Sequence, residues 1–195
     1  MHTRRIATFL LGAWIACSIL MAFVEIQNSR SPDLVMNAPV PSASAMIETL
    51  GREPARLLLR HLAWEQNRLY TPVWEQMEIV LGLVLGGCLF LATQRRVFPM
   101  ILCGLMLSMV LFQHIGITPE LTFSGRETDF PPGSQNVDSL ARVWLLEEVY
   151  IGVEAVKVVV GGILAAYLFV FRSSRRRDRK PSEALGPLEH RSVGR

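Results

Sequence analysis

Cysteine is scarce in this chain, with three in 195 residues. Cys17, Cys88 and Cys103 all lie inside apolar blocks and none forms a CxxC pair, so the spacing argues against a disulfide framework or zinc site. There is no Gly-rich phosphate loop, no nucleophile elbow and no HExxH helix, which disfavours an enzyme. Histidine is nearly absent from the apolar blocks. Only His114 stands at the end of one, so a bis-histidine haem site within a bilayer cannot come from a single chain. Charge is the most conspicuous gap. Ile6–Val24, Ile79–Thr93 and Val97–Ile115 carry no Asp, Glu, Lys or Arg, and Val158–Phe171 is apolar except for Tyr167.

What is there fills those gaps. Half of the residues are hydrophobic, and they are gathered into blocks long enough, with their flanks, to cross a hydrocarbon core of about 30 Å. The composition therefore predicts an all-α integral membrane protein: a four-helix bundle over residues 1–171, followed by a basic, disordered tail over 172–195. The spans are expected at about 6–24, 72–93, 97–115 and 145–171. The first follows Arg4 and Arg5, is longer than a signal-peptide core and lacks a small-x-small cleavage site after Phe23. It reads as an uncleaved span.

Between the first two spans, Glu25–Tyr70 is expected to begin irregularly, because Pro32, Pro39 and Pro41 interrupt it. From Pro54 an outward amphipathic helix follows, with Leu58, Leu62 and Leu69 opposite Arg52, Arg56, Arg60 and Arg68. Thr71 and Pro72 look like the N-cap and first turn of the second span. Gln94–Arg96 suggests a tight turn. Gly116–Val137 is expected to be loop, with Pro119, Gly125, Pro131, Pro132 and Gly133 as breakers. A long final helix should start near Asp138 or Ser139 and end at Phe171.

Charge sets the expected orientation. Met1–Arg5, Gln94–Val97 and Arg172–Arg195 hold twelve Lys and Arg against three acids, whereas Glu25–Met77 and Gly116–Val149 hold seven against twelve. The positive-inside rule places both termini in the cytoplasm and two loops outside, in a cell (inner) membrane. The same asymmetry accounts for the net charge of +3 without nucleic acid as a partner.

Two constellations are candidates for chemistry. Glu154 and Lys157 lie roughly 27 and 22 Å along a helix from Arg172, within or at the rim of the hydrocarbon core. Glu25, Glu78 and His114 come from other spans at similar depth. Glu78, His114, Glu154 and Lys157 thus make a candidate ligand site or ion pathway, or else a structural salt-bridge cluster with Lys157 snorkelling outward. Met77, Met106 and Met109 with His114 could offer soft ligands to copper(I), although methionine is also ordinary apolar filler. The second constellation is a set of small residues four apart: Gly12 and Ala16, Gly82 and Gly86, Gly104 and Ser108, Gly161 and Ala165. Such pairs let helices approach closely in lipid, either within one bundle or between copies through Gly82 and Gly86.

Several short stretches also carry a likeness. Gly12-Ala13-Trp14, Glu65-Gln66-Asn67-Arg68 leading to Trp74, Gly116-Ile117-Thr118-Pro119-Glu120, and Tyr150, Glu154 and Lys157 together resemble the domain-of-unknown-function family that includes transmembrane-protein-205-like proteins. The chain departs from that pattern in its long first loop and in having Trp144–Glu148 where a histidine is expected. The resemblance implies a four-span membrane protein and no established reaction. The expected function is non-enzymatic binding of a partner or small ligand by the outward polar layer and loops, with no resident cofactor and the lipid bilayer as the surrounding partner. The alternative is permeation or transport of a proton, metal ion or small solute.

Overall fold

A computed structural model describes residues 2–37, 40–92, 97–129 and 137–177, and it is helical almost throughout. The elements are α1 (His2–Asn37), α2 (Pro41–Leu50), α3 (Arg52–Ala92), α4 (Val97–Phe112), a π-helical turn (Gln113–Ile117), α5 (Thr118–Asp129) and α6 (Val137–Arg177). Four helices are long and apolar enough to cross a membrane: Thr3–Asn37, Arg52–Ala92, Val97–Thr128 and Asp138–Phe169. A helix suits such sequences because it satisfies its own backbone polar groups where lipid cannot.

The helices run well past the apolar blocks. α1 continues through Pro32 to Asn37, where an irregular segment was expected. A proline inside a helix deprives the carbonyl four residues back of its amide partner, and here the Ser31 hydroxyl donates to that carbonyl, Asn28 O, at 2.9 Å. Pro41 opens α2, where its fixed φ is suited to a first turn. Pro39 lies outside the described residues. Gly51, between α2 and α3 at φ +89°, holds a conformation that costs a residue with a Cβ.

α3 is one helix of 41 residues, about 61 Å long. It passes through Pro72, so the separate amphipathic helix and the N-cap at Thr71 are both corrected. The Thr71 hydroxyl instead lies 2.9 Å from Asn67 O and 2.9 Å from Glu25 Oε1. Leu58, Leu62 and Leu69 are exposed, and Ala55 and Ala63 are buried. The leucines are left on the outer face of α3, and the small side chains face inward.

Gly116–Asp129 is helical too. The Thr118 amide donates to Gln113 O five residues back, a widened turn of the kind that bends a helix without breaking it. Gly125, expected to break the chain, is a contact point instead: a Cβ there would sit 2.3 Å from Arg68 Nη2. Arg126 reaches Glu65 at 2.9 Å and Arg142 reaches Glu120 at 2.7 Å, tying α5 to α3 and α6. α6 extends to Arg177, past Phe171 and into the stretch expected to be disordered. Gln94–Arg96, Pro131, Pro132, Gly133 and the tail beyond residue 177 lie outside the described residues.

α1 packs on α3, α3 on α4, α4 on α6, and α6 back on α1. Arg4 donates to Leu168 O, which puts the start of α1 beside the last part of α6. This is the terminal end of the helices. The opposite, distal end is marked by Asp33–Arg56 and Asn28–Asn67, each 2.9 Å apart. The apolar core is built from Leu11, Leu85, Leu89, Met106, Leu164 and Leu168, among others.

The small residues divide by role. A Cβ on Gly82 would lie 2.9 Å from Leu107 Cδ1 and 3.1 Å from Trp14 Cη2, and one on Gly161 would lie 3.2 Å from both Ile15 and Met106. Both glycines therefore admit a neighbouring helix of the same chain, and Gly82 is not free to join a second copy. Gly86 makes only ordinary contact, 3.8 Å to Cys103 Sγ. Gly104 has nothing within 4 Å and lies exposed, so it is not a packing residue within the chain.

Candidate functional site

The site begins with α3. Glu75 and Glu78 are three residues apart, so they share a face of the helix, and both are fully buried. Glu78 is the centre of an ion cluster. Its Oε2 accepts from Lys157 Nζ at 2.6 Å, and its Oε1 accepts from Trp14 Nε1 at 2.7 Å and Ser18 Oγ at 3.0 Å. Lys157 also donates to Glu154 Oε1 at 2.6 Å and to Gln113 Oε1 at 3.3 Å. An ammonium has three donors, and all three are used. The Gln113 amide in turn lies 3.3 Å from Glu154 Oε1 and 3.4 Å from Tyr150 O.

This cluster is deep. Trp14 stands near the middle of the charge-free stretch Ile6–Val24, about 15 Å along the helix from Val24, and it bonds Glu78 directly. Lys157 is 1 % exposed, so it does not snorkel. Desolvating an ion costs several kcal/mol, and only close partners offset that. Here one ammonium faces two carboxylates, and the indole N–H and the serine hydroxyl supply further donors to Glu78.

His114 belongs to a second unit. Its Nδ1 lies 2.9 Å from Glu75 Oε2, and the Thr118 hydroxyl donates to Glu75 Oε1 at 2.5 Å. The His114 ring also lines a groove. That groove has a volume of about 610 Å³, and its walls include Pro72, Thr118, Pro119, Phe123 and Arg126. This is the size of a small-ligand site. The widened turn supports both units. It carries Gln113 to Lys157 and the next residue, His114, to Glu75.

Of the four residues expected to form a pathway, Glu78, Glu154 and Lys157 therefore meet, whereas His114 pairs with Glu75. Glu25 sits apart, on Thr71. Sequence reasoning missed Glu75, Gln113, Trp14, Ser18 and Thr118 as members of the site. Two signals were present: Glu75 shares the Glu78 face, and Trp14 and Ser18 lie four apart inside an apolar run. Among the described residues no three His, Cys, Asp or Glu side chains converge to hold a metal. Met106 is buried against Gly161 while Met77 is 57 % exposed, so these two thioethers do not converge. Toward the terminal end, the described core is apolar: Leu11, Leu85, Leu89, Leu164 and Leu168 succeed the ion cluster. No protein-family model, curated protein or solved structure matches the chain.

Proposed function

We propose that this is a four-helix bundle of the cell (inner) membrane with both termini cytoplasmic, and that its distal, outward polar layer binds a small ligand or partner without catalysing a reaction. The observation that carries this reading is the His114–Glu75 pair. A buried carboxylate holds one ring nitrogen at 2.9 Å, and the imidazole lines an open groove. The Lys157 cluster ties α1, α3, the π-helical turn and α6 together, and that turn also carries His114. Membership of the transmembrane-protein-205-like family is part of the same proposal, resting on the short stretches that include Tyr150, Glu154 and Lys157.

The depth of Glu78, Lys157 and Glu154 favours a second reading, permeation of a proton, metal ion or small solute, because charge inside a membrane commonly marks a pathway. The apolar core toward the terminal end weighs against it. A path would have to open through Leu11, Leu85 and Leu164, each 0 % exposed.

Cysteine labelling tests the outward binding reading. In a background with Cys17, Cys88 and Cys103 replaced, His114→Cys should react with a membrane-impermeant maleimide in intact cells. Reaction only after permeabilisation would reject it.

A further inference from the structure

The charges around the groove beside His114 are unevenly matched. Arg126 spends its guanidinium on Glu65, donating from Nε at 3.0 Å and from Nη2 at 2.9 Å, and Glu65 also holds Arg68 at 2.9 Å. Glu75 holds His114. Glu127, the acid of the groove wall, has no hydrogen bond or ion pair to any described residue. Behind the wall, Glu25, Glu75, Glu78 and Glu154 act on one another through space, with Lys157 as the ammonium among them. Acids therefore outnumber Arg68, Arg126 and Lys157 on this side of the molecule, and low-dielectric walls focus the resulting negative field. The rest of the lining is apolar or hydroxylic: Pro72, Pro119, Phe123, Thr118 and Thr122. Phe123, 64 % exposed, stands four residues before Glu127, so ring and carboxylate share one face of α5. The face of an aromatic ring is itself negative and attracts cations.

We propose that this groove binds a lipophilic organic cation, a single positive centre carried on an apolar or aromatic body. The positive centre lies at the Glu127 carboxylate and the Phe123 ring, and the body lies against Pro72 and Pro119. Charge complementarity chooses the class. An anion would meet an uncompensated carboxylate, a neutral ligand would leave that carboxylate unanswered, and a bare inorganic ion would leave the apolar lining uncovered. At about 610 Å³, the groove has room for such a molecule. This deepens, and rests on, the reading of the groove as a ligand site given above.

Equilibrium dialysis of the detergent-solubilised full chain against tetraphenylphosphonium and tetraphenylborate tests the proposal, because the two ions share one shape and carry opposite charge. Empty micelles serve as the blank. The wild type should bind one tetraphenylphosphonium per chain above the blank, about tenfold more tightly than tetraphenylborate. Glu127→Gln should weaken that binding about fivefold, the upper range for an exposed ionic contact, and Phe123→Leu about threefold. Thr122→Trp, which fills the groove, should abolish it. Glu48→Gln, which removes an exposed acid of α2 outside the groove, should change nothing. Equal binding of the two ions, unchanged affinity in Glu127→Gln or Thr122→Trp, or an equal loss in Glu48→Gln would each overturn the proposal. Displacement of tetraphenylphosphonium by magnesium at equal concentration would overturn the organic cation in favour of an inorganic one. Dialysis is blind to sidedness. No charge-selective binding with positive His114→Cys labelling rejects the cation alone, whereas failed labelling with charge-selective binding rejects the outward orientation and keeps the cation.

Discussion

Replacing Lys157 by methionine removes the one ammonium from a buried cluster that holds two carboxylates. Its Nζ is 2.6 Å from Glu78 Oε2 and 2.6 Å from Glu154 Oε1, with Lys157 1 %, Glu78 0 % and Glu154 20 % exposed as side chains. At an effective dielectric near 20, each contact is worth about 6 kcal/mol of attraction. Desolvating the ions costs several kcal/mol apiece, so the intact cluster is close to break-even against an apolar replacement. Removing only the lysine is different, because the desolvation cost of the carboxylates stays while their attraction to it goes. The expected loss is about 3–5 kcal/mol, roughly a hundredfold to several thousandfold in the folded ratio. The triple variant Lys157→Met, Glu78→Gln, Glu154→Gln should recover most of it. Its glutamine at position 78 still accepts from Trp14 and Ser18 but carries no charge. Reversible unfolding in mixed dodecyl sulfate and maltoside micelles, followed by tryptophan fluorescence, measures both. A loss below about 1 kcal/mol for Lys157→Met, or a triple variant no more stable than the single one, would refute the charge argument.

Other consequences are smaller and equally direct. Gly82→Leu should destabilise by about 1–3 kcal/mol through overpacking against Leu107 and Trp14, whereas Gly104→Ala should be neutral or gain up to about 1 kcal/mol from helix propensity; the same unfolding assay distinguishes them, and equal effects would contradict the packing. Trp14→Phe keeps the ring in the core but removes a donor from a buried carboxylate, so a loss of about 1.5–3 kcal/mol is expected, and an unchanged midpoint would mean that Glu78 does not rely on the indole. Glu65, on the part of α3 that projects beyond the apolar stretch, has its carboxyl held at about 2 against an ordinary 4.5, first by the hydrogen bond from Arg126 and then by Arg68, despite some desolvation. A carboxyl depressed in the folded state adds stability above its unfolded pKa and loses it as pH falls toward the folded one. The advantage of wild type over Glu65→Gln should therefore be full above about pH 4.5 and vanish toward pH 2, and an advantage that persists unchanged there would refute the assignment.

Much of the architecture was legible because the hydrocarbon core is a severe filter on sequence. A stretch such as Ile6–Val24, without a charge, has few options other than a helix. Boundaries were less legible, because proline and glycine were read by their local preference. Pro32 and Pro72 sit inside helices that packing holds together, with Ser31 taking up the carbonyl that Pro32 leaves open. Gly125 turned out to be a place where Arg68 meets backbone. The Leu58–Leu62–Leu69 stripe stays exposed, while Ala55 and Ala63 on the same helix are buried.

The sequence by itself determined that four apolar helices exist and that Glu78, Glu154 and Lys157 lie at similar depth, because helical rise converts residue number into distance along an axis. It did not determine rotation about that axis, and rotation decides which side chains meet. Only the packing of α3 against α1, α4 and the widened turn set Glu78 on Trp14 and Lys157, turned His114 toward Glu75 and away from the lysine, and left Gly104 facing outward. Those contacts join residues 39 to 79 positions apart. Local patterns place such residues on a helix face, and tertiary structure alone chooses what that face meets.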